Sequence, residues 1–231
     1  MTLLEMKNLS KSFGDKKVLD GVNITLPEGR IVGLLGQNGA GKSTIIKLIC
    51  DLLTPTEGEI LFLGEKIGVE SKKEISFLPE RTYLDKSMTV DRVIDYFCDF
   101  YQDFDPDKAR RLLKDLGLDS TMKLSKMSKG MQEKVQLVLV ISRKAKLYIL
   151  DEPLGGVDPA TRDYILDTIL NNFSEGATVL ISTHLISDIE RILDDVIIVD
   201  HGKIVLQSDA DELRNKEGAS IDEIFRRMFK C

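Results

Sequence analysis

The sequence predicts an α/β fold, and three features carry that expectation. Short, continuously apolar runs recur at 31–35 ("IVGLL"), 146–150 ("KLYIL"), 177–182 ("ATVLIS") and 195–200 ("DVIIVD"). Runs of this kind read as strands, and "IVGLL" has the character of one covered on both faces. Helical patterns lie between the later strands. Residues 87–144 read as helix, so a strand-rich core carries a helical insert.

Taken in order, residues 1–35 read as strands, with Val22, Ile24 and Leu26 alternating with polar neighbours. "PEG" at 27–29 is a turn signal. "STIIKLICDLL" predicts a helix that stops before "TPTEG", and "GEILFLGEKI" a strand pair or hairpin. In the insert, "SMTVDRVIDYFCDFY" and "DPDKARRLLKDLGL" are helical, the second with Pro106 near its start and Gly117 near its end. "MSKGMQEK" at 127–134 opens a third helix that Ser128 can cap, although Gly130 stands in its first turn. In "SIDEIFRRMFK", Ile221, Ile224, Phe225 and Met228 share one face, as in a helix docked on the body. One domain, 1–231, is therefore expected. Its core with an N-terminal antiparallel β subdomain spans 1–86 and 145–205, the insert 87–144 and a helical tail 206–231.

Composition narrows the function. The net charge is −6 and no dense Lys/Arg run occurs, so no nucleic acid is expected as a partner. Cys50, Cys98 and Cys231 are scattered, which suits reduced thiols in a cytosolic protein. Apolar runs such as "VLVI" and "VIIV" fall far short of a membrane span, so a role at a membrane would borrow its span from a partner.

Two stretches carry chemistry. "GQNGAGKST" places Gly36, Gln37, Asn38, Gly39, Ala40, Gly41, Lys42, Ser43 and Thr44 between an apolar strand and a helix. The pattern G-x-x-x-x-G-K-[ST] in that context is a phosphate loop. Glycines let backbone N–H groups curl around phosphate oxygens, and the helix turns its positive end to the anion. Lys42 can reach the β and γ phosphates, and the Ser43 hydroxyl can ligate Mg²⁺. "LYILDEP" delivers Asp151 and Glu152 to the end of a buried strand, where ligands bind in open α/β sheets. Asp151 can hold the metal, and Glu152 can orient or deprotonate an attacking water. Together they predict a P-loop NTPase (RecA-like) core that holds nucleotide phosphates with Mg²⁺, without saying which class of NTPase.

With "MSKGMQ" added, the chain resembles the ATP-binding cassette (ABC) family, the ATPase subunits of ABC transporters, over nearly its whole length. That family's signature is typically Leu-Ser-Gly-Gly-Gln. Here it reads Met127-Ser128-Lys129-Gly130-Met131, so only the serine and the last glycine stand. The resemblance implies that Ser128 and Gly130 meet the γ-phosphate of ATP held by a second subunit, in a head-to-tail dimer. Lys129 then stands beside that phosphate or out in solvent. Phe13 stands where an aromatic residue stacks on adenine, or is a core residue. Glu80, in "FLPE", replaces a glutamine that serves the metal or the lytic water. Asp158, in "GGVDP", looks like the D-loop acid, and His184, in "STH", like the switch histidine at the γ-phosphate. His201 has no role.

The implied function is an ATPase that powers a separate multi-span membrane subunit, of exporter type, from the cytoplasmic face of the membrane. A soluble cassette such as an iron–sulfur assembly ATPase is the alternative. A kinase-like P-loop protein would lack the signature, the D-loop and the switch histidine in this order.

Overall fold

The computed structural model describes residues 1–155 and 159–229. The chain opens with β1 (Thr2–Phe13) and β2 (Lys16–Pro27), then β3 (Ile31–Leu35), α1 (Lys42–Ile49), β4 (Glu57–Phe62) and β5 (Glu65–Lys66). Next come α2 (Val69–Glu74), β6 (Ile75–Leu78), α3 (Val90–Phe100), α4 (Pro106–Asp115) and α5 (Lys129–Ile141). The second half runs β7 (Leu147–Asp151), α6 (Pro159–Asn172), β8 (Thr178–Thr183), α7 (Ile186–Ile189), β9 (Asp195–Asp200) and β10 (Lys203–Asp209). It closes with α8 (Ala210–Glu217) and α9 (Ile221–Phe229).

The strands form two sheets. A four-stranded antiparallel sheet has the order β2-β1-β4-β5, and a six-stranded sheet the order β10-β9-β3-β8-β7-β6. In the second, β9, β3, β8, β7 and β6 are parallel and β10 is an antiparallel edge. Its central strands are buried on both faces: β7 and β8 have no exposed residue. This is why they read as unbroken apolar runs rather than alternating ones. The order matters for function. It puts the C-terminal ends of β3, β8 and β7 side by side, and those are the ends that carry the phosphate loop, "STH" and "DE".

The helices start where their sequences say. Asp105 caps α4 by accepting from Lys108 N, with Pro106 in the first turn. Ser128 caps α5 by accepting from Met131 N at 3.2 Å. In α9, Ile221, Ile224 and Phe225 are buried, while Met228, on the same face, is 42% exposed. The segment expected as a helical tail from residue 206 begins as strand, since β10 runs to Asp209 along β9. Helix α2 precedes the edge strand β6 and was not expected; six residues are too few to show a helical period.

A buried cation locks the stretch after α3 to the sheet. Arg143, its side chain 4% exposed, donates to the carbonyls of Ile75 and Lys73 and pairs with Asp103. Its guanidinium lies 4.0 Å from the centre of the Tyr101 ring.

Candidate functional site

The phosphate loop is built around close backbone approaches. A Cβ on Gly36 would lie 2.5 Å from the carbonyl oxygen of Val199, so only glycine fits where the chain leaves β3. Gly41, at φ 116°, takes a backbone conformation that side chains rarely adopt, and its carbonyl accepts from both Thr44 N and Ile45 N as α1 begins. Lys42 curls back over its own loop. Its ammonium donates to Gly36 O at 2.8 Å and Gln37 O at 3.3 Å, and lies 3.7 Å from Glu152 Oε1. Burial lowers its pKa below the ordinary 10.5, while Glu152, Asp151 and Glu80 pull it back up.

Asp151 ends β7 directly opposite Ser182 on β8. Its Oδ1 accepts from the Ser182 hydroxyl and lies 3.5 Å from Ser43 Oγ. Burial raises its pKa above 3.8; the two serine hydroxyls oppose the shift, and Glu152 and Glu80 add to it. Glu152 follows at φ 51°, a sparsely populated region for a residue with a side chain. Its N–H is held by Ser182, at 3.0 Å from the backbone oxygen and 3.2 Å from the hydroxyl. This turns the carboxylate inward, where Oε2 meets His184 Nδ1 at 3.0 Å.

Lys42, Ser43, Glu152 and His184 line a cleft of about 1100 Å³. One wall is the loop from Asn38 to Thr44, with Glu152 and His184; Glu80 and Arg81 form a rim, and Lys86, Lys129 and Gln132 stand on the side of the insert. Gly36 and Ala40 are buried under the loop, whereas Gln37, Asn38 and Gly39 are exposed. Phe13 is 48% exposed, so it is not a core residue. It lies outside the cleft lining, under the Lys11 ammonium at 5.0 Å. Ser128 and Gly130 are exposed at the start of α5, and neither lines the cleft. A Cβ on Gly130 would meet nothing within 4 Å, so nothing in the chain itself calls for glycine there. Asp158 lies outside the described residues. His201 sits in the turn between β9 and β10 beside Asp200.

Sequence reasoning missed Ser182 and Gln132. Ser182 stands two residues before His184, but its role appears only once β7 and β8 pair.

The donor set suits a hard cation that arrives with phosphate. Asp151, Ser43 and Glu80 together line a groove next to the cleft, with Asp151 Oδ1 3.5 Å from Ser43 Oγ, and each offers oxygen. No group of three or more His, Cys, Asp or Glu among the described residues can hold a metal alone. Most ligands would therefore come from phosphate oxygens and water, the usual habit of Mg²⁺.

A family model described as "ABC transporter" matches residues 19–155. The chain is 31% identical to the lantibiotic transport ATP-binding protein SrtF of Streptococcus pyogenes, over 93% of this chain and 94% of that one. It is 31% identical to the ABC-type transporter ATP-binding protein EcsA of Bacillus subtilis, over 100% and 98%. Among solved structures, an ATP-binding subunit of an ABC transporter superposes with a TM-score of 0.88 at 32% identity, covering 98% of this chain and 99% of that chain. A nucleotide-free cassette from an ABC transporter superposes with a TM-score of 0.78 at 25% identity, over 95% and 96%. No helix among the described residues is long and apolar enough to cross a membrane. With the phosphate loop, the acidic pair and the histidine at the ends of adjacent strands, the chain belongs to the ABC transporter family as one of its ATP-binding, ATP-hydrolysing cassettes.

Proposed function

We propose that this chain is the ATPase subunit that powers a separate membrane-spanning exporter, and that two cassettes close head to tail over ATP to do so. The observation that carries it is an asymmetry. The loop, Glu152 and His184 gather on one wall of the cleft, while Ser128 and Gly130 stand exposed at the start of α5, where a Cβ on Gly130 would meet nothing within 4 Å. An exposed helix N-terminus with a serine at its cap suits an anion brought by a second chain.

In this reading the loop's N–H groups and Lys42 hold the phosphates, and Phe13 and Asp158 contact the nucleotide. Asp151, Ser43 and Glu80 would hold Mg²⁺, which when bound would supply positive charge to the phosphate oxygens. Nucleotide phosphates would compete with Gly36 O, Gln37 O and Glu152 for the Lys42 ammonium, freeing Glu152 to orient the attacking water. His184 holds that carboxylate from the other side and reaches toward the γ-phosphate.

An apolar groove of about 1460 Å³ beside Glu80 supports the membrane partner. Tyr96 and Phe100 lie along it, 55% and 64% exposed and stacked at 6.1 Å. An exposed aromatic patch of this kind marks an interaction surface. Relatives named for lantibiotic transport and Nod factor export favour an exporter. The chain would then sit peripherally on the cytoplasmic face of the membrane.

The test is a mild-detergent pull-down of the tagged chain from its own membranes. A multi-span protein that copurifies and stimulates ATP hydrolysis is the expected result. Recovery with soluble companions alone would refute the transport role and point to a soluble cassette.

A further inference from the structure

Among the described residues, three buried side-chain polar atoms lack a hydrogen-bond partner: Glu133 Oε2, Gln136 Oε1 and Ser142 Oγ. All three belong to α5 or its C-cap. Gln136 is 2% exposed, and its amide makes one contact, Nε2 donating to Pro79 O at 3.3 Å. A buried acceptor without a donor is unfavourable, and an apolar side chain of the same length would not carry it. What the amide contributes here is its donor, and the carbonyl it holds belongs to the peptide that leads into Glu80.

A second glutamine stands one turn away on the same helix. Gln132 Nε2 donates to Leu124 O and Met127 O, both at 3.0 Å. The turn it fixes reaches back, with Leu124 N donating to Met88 O at 3.0 Å and Ser125 N to Lys86 O at 2.9 Å. The segment from Pro79 to Met88 is thus held at both ends from the α5 side. Gln136 holds its start directly, and Gln132 holds its far end through the turn at 124–125. Glu80 lies between.

We infer that Gln136 is a positioning residue for ATP hydrolysis. It ties the carbonyl before Glu80 to α5, so Glu80 takes its place together with the helix that presents Ser128, Lys129 and Gly130. The inference rests on the reading that Glu80 acts at the nucleotide.

The test is Gln136→Met in the full chain, with three readouts: thermal melting, hydrogen exchange of peptides covering 79–88, and kcat and KM for ATP. Melting should hold within a few degrees or rise, because the orphaned acceptor goes with the amide. Exchange in 79–88 should quicken by about fivefold or more. The kcat should fall about tenfold, the scale of a lost supporting contact behind a metal ligand, with KM changed by less than about twofold. Unchanged exchange in 79–88 would overturn the tether. Faster exchange with kcat within about twofold of the parent would overturn its role in the reaction. Should Gln136→Met not fold, Gln136→Asn keeps the amide but is a methylene too short for Pro79 O, and the same readouts apply. Failure of the underlying reading is separable: Glu80→Ala with an unaltered kcat removes Glu80 from the chemistry whatever the exchange data show.

Discussion

Glu152 Oε2 lies 3.0 Å from His184 Nδ1, and the other oxygen of the same carboxylate lies 3.7 Å from the Lys42 ammonium. One carboxylate is thus shared between the phosphate loop and the histidine after β8. Glu152→Gln keeps the shape and removes the charge, so hydrolysis should fall by about a hundredfold or more, the scale of a lost acid–base group. ATP should still bind. If closure needs ATP and opening needs its hydrolysis, the variant should accumulate as an ATP-bound dimer in light scattering. A variant that turns over ATP at the parental rate would remove Glu152 from the chemistry.

Asp151 gives a prediction with a definite sign. Burial raises its carboxyl pKa above 3.8, so folding favours the protonated form. Stability from that form is full below the unfolded value and is lost as pH rises through the raised folded value. Above the raised value the nucleotide-free protein carries a buried charge that Asp151→Asn lacks. In EDTA the variant should melt higher than the parent at about pH 7, and the gap should shrink toward about pH 4, near the ordinary carboxylate value. Adding Mg²⁺ and ATP should reverse the order, because ligand stabilisation then falls to the parent alone. Equal melting in EDTA at neutral pH would refute the account.

Ser128 has two proposed duties that can be separated. As the N-cap of α5 it accepts from Met131 N. Ser128→Ala should cost about 1 kcal/mol, or a few degrees in melting for a chain of this size. Ser128→Asp keeps a good cap but sets a negative charge where a partner's phosphate would arrive. It should melt like the parent and fail to dimerise with ATP in the Glu152→Gln background. Normal dimerisation of the Asp variant would leave Ser128 as a cap only.

How much of this was legible depends on whether a feature is local in sequence. The phosphate loop is nine consecutive residues with a strand before and a helix after, so its presence could be read directly. Asp151 and Glu152 were legible because a strand buried on both faces shows as an apolar run. Ser182 was not, because it reaches Asp151 only through the parallel pairing of β7 with β8, thirty-one positions on. Gln132 and Gln136 looked like polar residues of a helix; their partners, Leu124, Met127 and Pro79, come from loops that the sequence does not place. Phe13 could be read either way, and its exposure decided against the core.

Arg143 couples three parts of the chain through one buried cation. Its side chain is 4% exposed and Asp103's is 26%. It satisfies two carbonyls and a carboxylate and stacks on Tyr101, so it joins the end of α5 and the stretch after α3 to the edge strand β6. Arg143→Met would leave the half-buried Asp103 without its cation and would remove the donors to Ile75 O and Lys73 O. Breaking a buried pair from one side costs about 3–5 kcal/mol, and the partial exposure of Asp103 puts the expectation at the low end. Arg143→Lys should recover little, since one ammonium cannot reproduce the fork. Removing the charge as well, in Arg143→Met with Asp103→Asn, should restore part of the loss, so the two substitutions should be non-additive in urea unfolding. Strict additivity would mean that the pair is not coupled, and that Arg143 acts through its carbonyl contacts and its packing on Tyr101.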